Sequence, residues 1–312
     1  MARVLGSAAG GGFPQWNCGC RQCAGVRAGE LPAQARTQAS LAVSADRERW
    51  FLVNATPDIG RQLSRLAACS GPVRRHATRR GDVSVDAVRR SPIDAVLLTD
   101  AELDHAAGLL SLRESSGLVL WCTAWVQRAL RESGLLGILE SYTPVAWHEV
   151  HPGVREPLGP GLAMAAIATG STKRPRYAAT LPVDRAAVVG YRFTDTGTGR
   201  SLLYLPCLPA LDDSLRAELA SADCALVDGT CWSDDELATV GLSGKTARSM
   251  GHLPVSGSDG SLTELAPLAA RRRILYTHLN NTNPLLVDDS PERYEVEAAG
   301  LAVAADGTEI EV

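Results

Sequence analysis

Three apolar segments of this chain each run straight into residues that can bind a metal, and that recurrence limits the folds open to it. Ala95-Val96-Leu97-Leu98 leads to Asp100, Glu102, Asp104 and His105. Cys224-Ala225-Leu226-Val227 leads to Asp228, and Ile274-Leu275-Tyr276-Thr277 leads to His278. Each run has the length of a strand and is apolar on both faces, as strands buried between other layers are. Their ends can share one site only if the strands lie side by side with their C-terminal ends together. Met250-Gly251-His252-Leu253 adds a histidine from a loop. Hard carboxylates with one or two imidazoles suit ferrous iron or manganese at least as well as zinc. The plain alternative for residues 100–105 alone is a solvated acidic loop after a core strand.

A second ligand group stands near the N-terminus. Gly10-Gly11-Gly12-Phe13-Pro14 reads as a tight loop, because glycine tolerates backbone conformations closed to other residues. Cys18, Cys20 and Cys23 follow it. Three thiolates so close together suit a tetrahedral zinc better than disulfides among themselves, and a fourth donor must come from elsewhere. Cys69, Cys122, Cys207, Cys224 and Cys231 are scattered singly, mostly among apolar neighbours, and read as buried free thiols.

Composition narrows the partners. The 312 residues carry a net charge of −4 and no long basic run, which argues against nucleic acid. No apolar stretch approaches the length of a membrane span, and the first residues are too short an apolar segment for a secretory leader. The expectation is a cytoplasmic chain forming one domain over residues 1–312.

In order, Val4-Leu5 reads as a strand, and Ser40–Ser44 with Trp50–Asn54 as a hairpin. Asp58 sits where a helix cap or turn residue belongs, ahead of a helix through Arg61–Leu66. Gly71–Arg90, with His76, reads as an Arg-rich surface excursion. Leu118–Cys122 is a buried strand, and Thr123–Leu130 has helical spacing that Leu136–Leu139 extends past Gly134. Tyr142–Leu162 reads as loop, with His148 and His151 as surface or lining residues. The basic turn Lys173-Arg174-Pro175-Arg176 after the strand Leu162–Ile167 is either an exposed loop or an attractor for a substrate carboxylate. Ala187–Phe193 pairs with Ser201–Pro206, and Leu215–Ala222 is a short helix. Leu301–Ala304 and Glu309–Val312 read as a closing hairpin over Asp306-Gly307.

The central block resembles the metallo-β-lactamase signature, Thr-His-x-His-x-Asp-His followed by x-x-Gly-Leu. Thr99, Asp104, His105, Gly108 and Leu109 match, while Asp100 and Glu102 occupy the two histidine positions. A histidine that usually follows the strand ending at Ile167 is also missing, since none occurs between His151 and His252. The losses occur together, as expected of a changed metal.

Across nearly its whole length the chain resembles one family, pyrroloquinoline quinone (PQQ) biosynthesis protein B. The resemblance rests on Pro14-Gln15-Trp16-Asn17-Cys18-x-Cys20-x-x-Cys23, Leu98-Thr99 with Asp104-His105, and Val227-Asp228-Gly229-Thr230-x-Trp232. It continues through Met250-Gly251-His252-Leu253-Pro254-Val255-Ser256-Gly257 and His278-Leu279-Asn280-Asn281-Thr282-Asn283-Pro284. The family's Asp-Ala-Ser-Pro-Asp appears here as Asn54-Ala55-Thr56-Pro57-Asp58.

The resemblance implies an α/β fold, the αββα sandwich of two mixed β-sheets flanked by helices, with a cysteine-bound structural zinc. It also implies iron- and O2-dependent hydroxylation of a tyrosine ring in a peptide-derived Glu-Tyr precursor, in company with other PQQ-pathway proteins. Asp104, His105, Asp228 and His278 are the candidate ligands of active-site Fe2+, with Mn2+ or Zn2+ as alternatives. Asp100, Glu102 and His252 are further candidates, and His252 could serve instead as a base beside the catalytic pair Asp104 and His105. The fourth ligand of the Cys18/Cys20/Cys23 zinc is His278 or Asn281. Lys173, Arg174 and Arg176 are candidate substrate contacts. The rival classes are a metal-dependent phosphodiesterase or ester hydrolase, and a non-catalytic carrier that transports finished PQQ.

Overall fold

The computed structural model describes residues 1–69 and 91–312; the Arg-rich stretch with His76 lies outside them. Among the described residues, fourteen strands build two sheets. In the first half of the chain they are β1 (Ala2–Gly6), β2 (Ser40–Val43), β3 (Trp50–Val53), β4 (Ile93–Leu97), β5 (Leu118–Cys122), β6 (Val145–Glu149) and β7 (Arg155–Gly159). In the second half they are β8 (Leu162–Ala168), β9 (Val189–Asp195), β10 (Ser201–Leu205), β11 (Cys224–Asp228), β12 (Arg273–Thr277), β13 (Ala302–Val303) and β14 (Glu309–Ile310). One sheet has the order β14-β1-β2-β3-β4-β5-β6 and the other β13-β12-β11-β10-β9-β8-β7.

Both sheets are mixed in the same way. From β3 to β6 and from β10 to β13 the neighbours are parallel, and the remaining pairs are antiparallel. Side chains alternate between the layers, as the period of two in a strand requires. Leu202 and Tyr204 face the other sheet, in one apolar cluster with its Leu41, Val53 and Leu97 and with Leu226 of their own sheet. Their neighbours Leu203 and Leu205 face outward, onto Leu215 and Leu219 of the helix Asp213–Ser221 and Leu265 of Ser261–Ala269. On the other outer face, Leu52, Val96 and Leu120 pack on Ile59 and Leu66 of the helix Ile59–Cys69 and on Val126 and Leu130 of Ala124–Glu132. The layers are therefore helix, sheet, sheet, helix, the αββα sandwich that the resemblance implied.

Several local expectations change. The closing hairpin does not form: β13 joins β12 in parallel, whereas β14 joins β1 in the opposite sheet. Each segment is only two residues long, so an existing strand offers it more backbone partners than its sequence neighbour does. Residues 142–162 contain β6 and β7 rather than loop alone. His148 lies exposed on β6, stacked on Trp121 at 4.3 Å between ring centroids. Gly134, at φ 80°, divides the helix expected past residue 130, so that Leu135–Glu140 starts anew. The Asp58 carboxylate accepts from the backbone N–H of Gln38 at 3.1 Å, tying the helix start to the segment before β2. No helix among the described residues is long and apolar enough to cross a membrane.

Candidate metal centre

The C-terminal ends of β4, β10, β11 and β12 converge on one crevice, where open α/β sheets place their ligands. After β4 the chain turns through Thr99–Glu102 into the one-turn helix Leu103–Ala106, which carries Asp104 and His105. That turn packs on the loop after β3: Ala55 N–H donates to the His105 carbonyl at 2.7 Å, and Gly108 N–H to the Ala55 carbonyl at 2.9 Å. A Cβ on Gly108 would stand 1.9 Å from the Thr56 carbonyl oxygen, so only glycine permits this approach. From the other side Gly10 covers Asp104, where an added Cβ would meet Oδ2 at 3.2 Å.

His105 is held by a carboxylate on its far nitrogen. Nδ1 donates to Asp100 Oδ2 at 2.7 Å, and the same carboxylate accepts from Thr99 Oγ1 at 2.8 Å and from Glu102 N–H at 2.9 Å. Asn54, at φ 64°, receives the Thr99 N–H on Oδ1 at 3.0 Å and fixes the end of β4. Asp100 thus fills a histidine position of the signature and orients the histidine that remains. A carboxylate behind a metal-binding imidazole fixes its tautomer and raises its basicity.

His278, directly after β12, is held by a hydroxyl. It sits in the left-handed region at φ 59°, the kind of backbone strain that gathers at functional sites. Thr230 Oγ1 lies 2.6 Å from Asp228 Oδ1 and 2.8 Å from His278 Nδ1. A hydroxyl has one proton, and a carboxylate can only accept, so the Thr230 proton goes to Asp228. The hydroxyl then accepts from His278 Nδ1–H, which leaves the lone pair on Nε2.

Both Nε2 atoms are buried without a hydrogen-bond partner. Asp104 Oδ2 lies 3.8 Å from Nε2 of His105 and 3.7 Å from Nε2 of His278. Buried polar atoms left unpaired are costly, and two such nitrogens beside one carboxylate lose that cost when a cation binds among them. Burial opposes a charged His105, but the Asp100 and Asp104 carboxylates outweigh it and raise its pKa to about 9. Burial also works against an ionised Asp104, yet the nearby His105 and His278 hold it below the usual carboxylate range. Burial keeps His278 below the ordinary histidine value. The field that draws a proton to His105 would equally draw a metal cation, and the residues fit one.

Beside this group, Asp228, His252 and His278 bring ligand atoms within 4.8 Å of one another. Their bonds are already made. Asp228 Oδ1 accepts from Thr230 N–H and Oγ1, and Oδ2 accepts from Leu208 N–H at 2.8 Å and His252 Nδ1 at 2.6 Å. A cation there would displace one of these bonds, whereas the Asp104 group needs none broken. Glu102 pairs with Lys173, with Oε1 and Nζ 3.9 Å apart.

A cavity opens over the crevice, lined by Glu102, Ser171, Lys173, Cys207 and His252 among others. Of the three cationic side chains in the basic turn, Lys173 alone lines it. The Arg174 guanidinium donates to the Leu181 carbonyl, and Arg176 is exposed on a short 3-10 turn. Cys207, two residues beyond β10, brings its sulfur within 4.8 Å of ligand atoms of His105 and His278. Its sequence signal was the one used elsewhere, an apolar strand ending in a ligand type, but Pro206-Cys207 read as an isolated buried thiol. Thr230 was likewise visible only as part of a motif.

The three cysteines lie elsewhere, beyond the turn after β12. Their sulfurs all fall within 4.8 Å of one another. The Asn281 carboxamide nitrogen lies 3.1 Å from Cys18 Sγ, 3.4 Å from Cys23 Sγ and 3.7 Å from Cys20 Sγ. Rotating that amide by half a turn would present its oxygen to the same point. His278 is committed to the crevice, three residues earlier. Burial drives the Cys18 thiol up, but hydrogen bonds from the Cys20 amide, Cys20, Cys23 and Asn281 together hold it below the usual cysteine value. Burial pushes Cys20 up to about 11.

Glu236 braces the same turn, accepting from Trp232 N–H at 2.6 Å and from Thr282 Oγ1. Burial pushes its pKa from 4.5 up to about 7. Between those values the folded state keeps a proton that the unfolded chain has lost, so stability falls as pH rises through that window. Urea denaturation of Glu236→Gln across the interval is expected to show a flatter fall than the parent; equal slopes would refute the assignment.

Architecture and donor set are those of a metal-site protein of the metallo-β-lactamase kind, and residues 49–279 match the beta-lactamase superfamily domain. The chain is 45% identical to coenzyme PQQ synthesis protein B of Azoarcus sp., covering 98% of this chain and 97% of that protein. It is 46% identical to the protein of the same name from Cupriavidus necator, covering 99% and 98%. The crystal structure of Zn2+-bound PqqB from Methylobacterium extorquens superposes with a TM-score of 0.85 at 35% identity, covering 100% of this chain and 99% of that one. The chain belongs to the coenzyme PQQ synthesis protein B family.

Proposed function

We propose that this chain acts in PQQ synthesis as an iron-dependent hydroxylase of the tyrosine ring of a Glu-Tyr precursor. One observation carries the reading: two buried imidazole nitrogens without hydrogen-bond partners lie within 3.8 Å of one carboxylate oxygen, in the crevice whose cavity is lined by Asp100, Cys207 and His252. Two histidines and one carboxylate with open positions form the donor set of non-haem ferrous oxygenases. The names of the relatives, coenzyme PQQ synthesis protein B, support the pathway.

Asp104, His105 and His278 would hold the iron, which supplies the one-electron chemistry with O2 that a closed-shell phenol lacks. Asp100 and Thr230 keep the two imidazoles turned so that each offers Nε2. His252 lines the cavity with Nδ1 fixed by Asp228, so its ring is positioned to accept the phenol or ring proton. Lys173, at the cavity rim, is placed for a carboxylate of the dipeptide. Cys18, Cys20 and Cys23, with the Asn281 carboxamide as fourth donor, would hold a structural zinc. A dizinc hydrolase centre needs more imidazoles than the crevice contains, because Asp100 and Glu102 stand in the two histidine positions.

The reading is tested on anaerobically prepared protein loaded with Fe2+. With a two-electron reductant supplied, Glu-Tyr peptide is expected to drive O2 uptake and to gain one oxygen atom by mass spectrometry, the other oxygen leaving as water. Zinc-loaded protein that turns over phosphodiesters, with no O2 uptake by the iron form, would overturn it.

A further inference from the structure

Cys207 has no part in the donor set described so far. Its sulfur nevertheless lies within 4.8 Å of ligand atoms of both His105 and His278, and it lines the cavity above them. The placement follows from topology. β10 lies parallel to β11, whose other neighbour β12 carries His278, so Cys207 leaves its strand at the same end of the sheet. Pro206 and the buried Leu208 hold the turn, and the Leu208 N–H is anchored on Asp228 at 2.8 Å. Among the described residues, the one hydrogen bond of the sulfur is long, 3.9 Å to Asp100 Oδ2. The sulfur thus shares a buried pocket with His105 and His278, whose Nε2 atoms lack hydrogen-bond partners.

We infer that Cys207 is a thiolate donor to the metal held by Asp104, His105 and His278. The centre then combines two neutral imidazoles, one carboxylate and one sulfur, and its two negative donors balance a divalent ion in a buried site. The inference rests on a metal occupying the Asp104 group, as proposed above. A sulfur donor shifts the preference of such a site away from manganese and toward ions that accept thiolate, such as zinc, cobalt and ferrous iron. It also gives Asp100 a second role, since the carboxylate that orients His105 also stands next to the sulfur.

Cobalt reports this directly, because thiolate bound to Co2+ gives an intense near-ultraviolet charge-transfer band that nitrogen and oxygen donors do not. The three-cysteine site is first filled with zinc so that its sulfurs are silent, and Co2+ is then titrated anaerobically into the parent, Cys207→Ser and Cys207→Ala. The parent is expected to develop the band at one equivalent of cobalt. Both variants should still bind cobalt through the remaining three donors, without the band and about tenfold or more weaker, the scale on which removing a supporting group weakens metal sites. Mn2+ affinity should change far less than Co2+ affinity. The serine variant keeps the hydroxyl able to bond Asp100, so a role confined to that hydrogen bond would leave its cobalt affinity unchanged and overturn the inference. Parent protein that binds the second cobalt with no near-ultraviolet band overturns the inference alone. Parent protein that binds no second cobalt overturns both this and the metal reading beneath it.

Discussion

Asp104→Ala protein is expected to keep its three-cysteine zinc, to lose the second metal, and to lose about a thousandfold in kcat/KM for substrate-dependent O2 uptake. That factor is ~4 kcal/mol of transition-state stabilisation. The size follows from the geometry. Among the described residues, Asp104 Oδ2 is the one carboxylate oxygen within 4 Å of both unpartnered imidazole nitrogens, at 3.8 and 3.7 Å. Without it, two neutral nitrogens share a buried pocket with no oxygen donor to complete the triad. Asp100→Asn makes the useful contrast. Its oxygens bond Thr99, Glu102 N–H and His105 Nδ1, so an amide there can flip the His105 tautomer but leaves every metal donor in place. A loss of about 10- to 100-fold in metal affinity is the scale for such supporting carboxylates. Elemental analysis beside O2 uptake separates the two variants. Asp104→Ala that retained the parent's iron content would remove the basis of the site.

The sequence carried this site further than it carried the fold's edges. Asp104, His105, Asp228 and His278 were legible because each follows an apolar strand, and the pattern of parallel strands leaves little freedom in where such ends meet. What those residues bond to was not legible. Asp228 read as a ligand, and Asp100 as a further candidate, because a sequence shows a carboxylate but not which of its lone pairs are taken. In the fold, Asp228 spends all its acceptor positions on Thr230, Leu208 and His252. The choice between His278 and Asn281 for the cysteine cluster depended on a turn of three residues, and a turn's direction is set by tertiary contacts. Here the Leu279 N–H bonds the Ser7 carbonyl at 2.9 Å and directs Asn281 to the sulfurs. The terminal strands were misread for a similar reason. Ala302–Val303 and Glu309–Ile310 look like a hairpin locally, yet each found a longer partner in a different sheet.

Removing the thiolate cluster is expected to unfasten the crevice from a distance. Cys23→Ala should release the zinc and lower the melting temperature by roughly 5 °C, the shift that ~3 kcal/mol produces in a domain of this size. Zinc bound only by the folded chain adds its binding energy to folding, and the loss is far below the full binding energy because most of the core lies elsewhere. The cluster fastens the segment after the glycine loop to the turn that begins at His278. Three ties converge there: Ala9 N–H to the Leu279 carbonyl at 2.8 Å, Leu279 N–H to Ser7, and Asn281 against all three sulfurs. His278 holds a left-handed backbone conformation, which persists only while its surroundings enforce it. Loosening the turn should therefore weaken metal binding at the Asp104 group as well, although Cys23 touches none of its donors. Asn281→His separates fastening from sulfur chemistry, since an imidazole is a better zinc ligand than a carboxamide. That variant is expected to bind zinc more tightly and to melt higher than the parent. Calorimetry with zinc analysis reads both, and a Cys23→Ala protein melting with the parent would show that the cysteines fasten nothing.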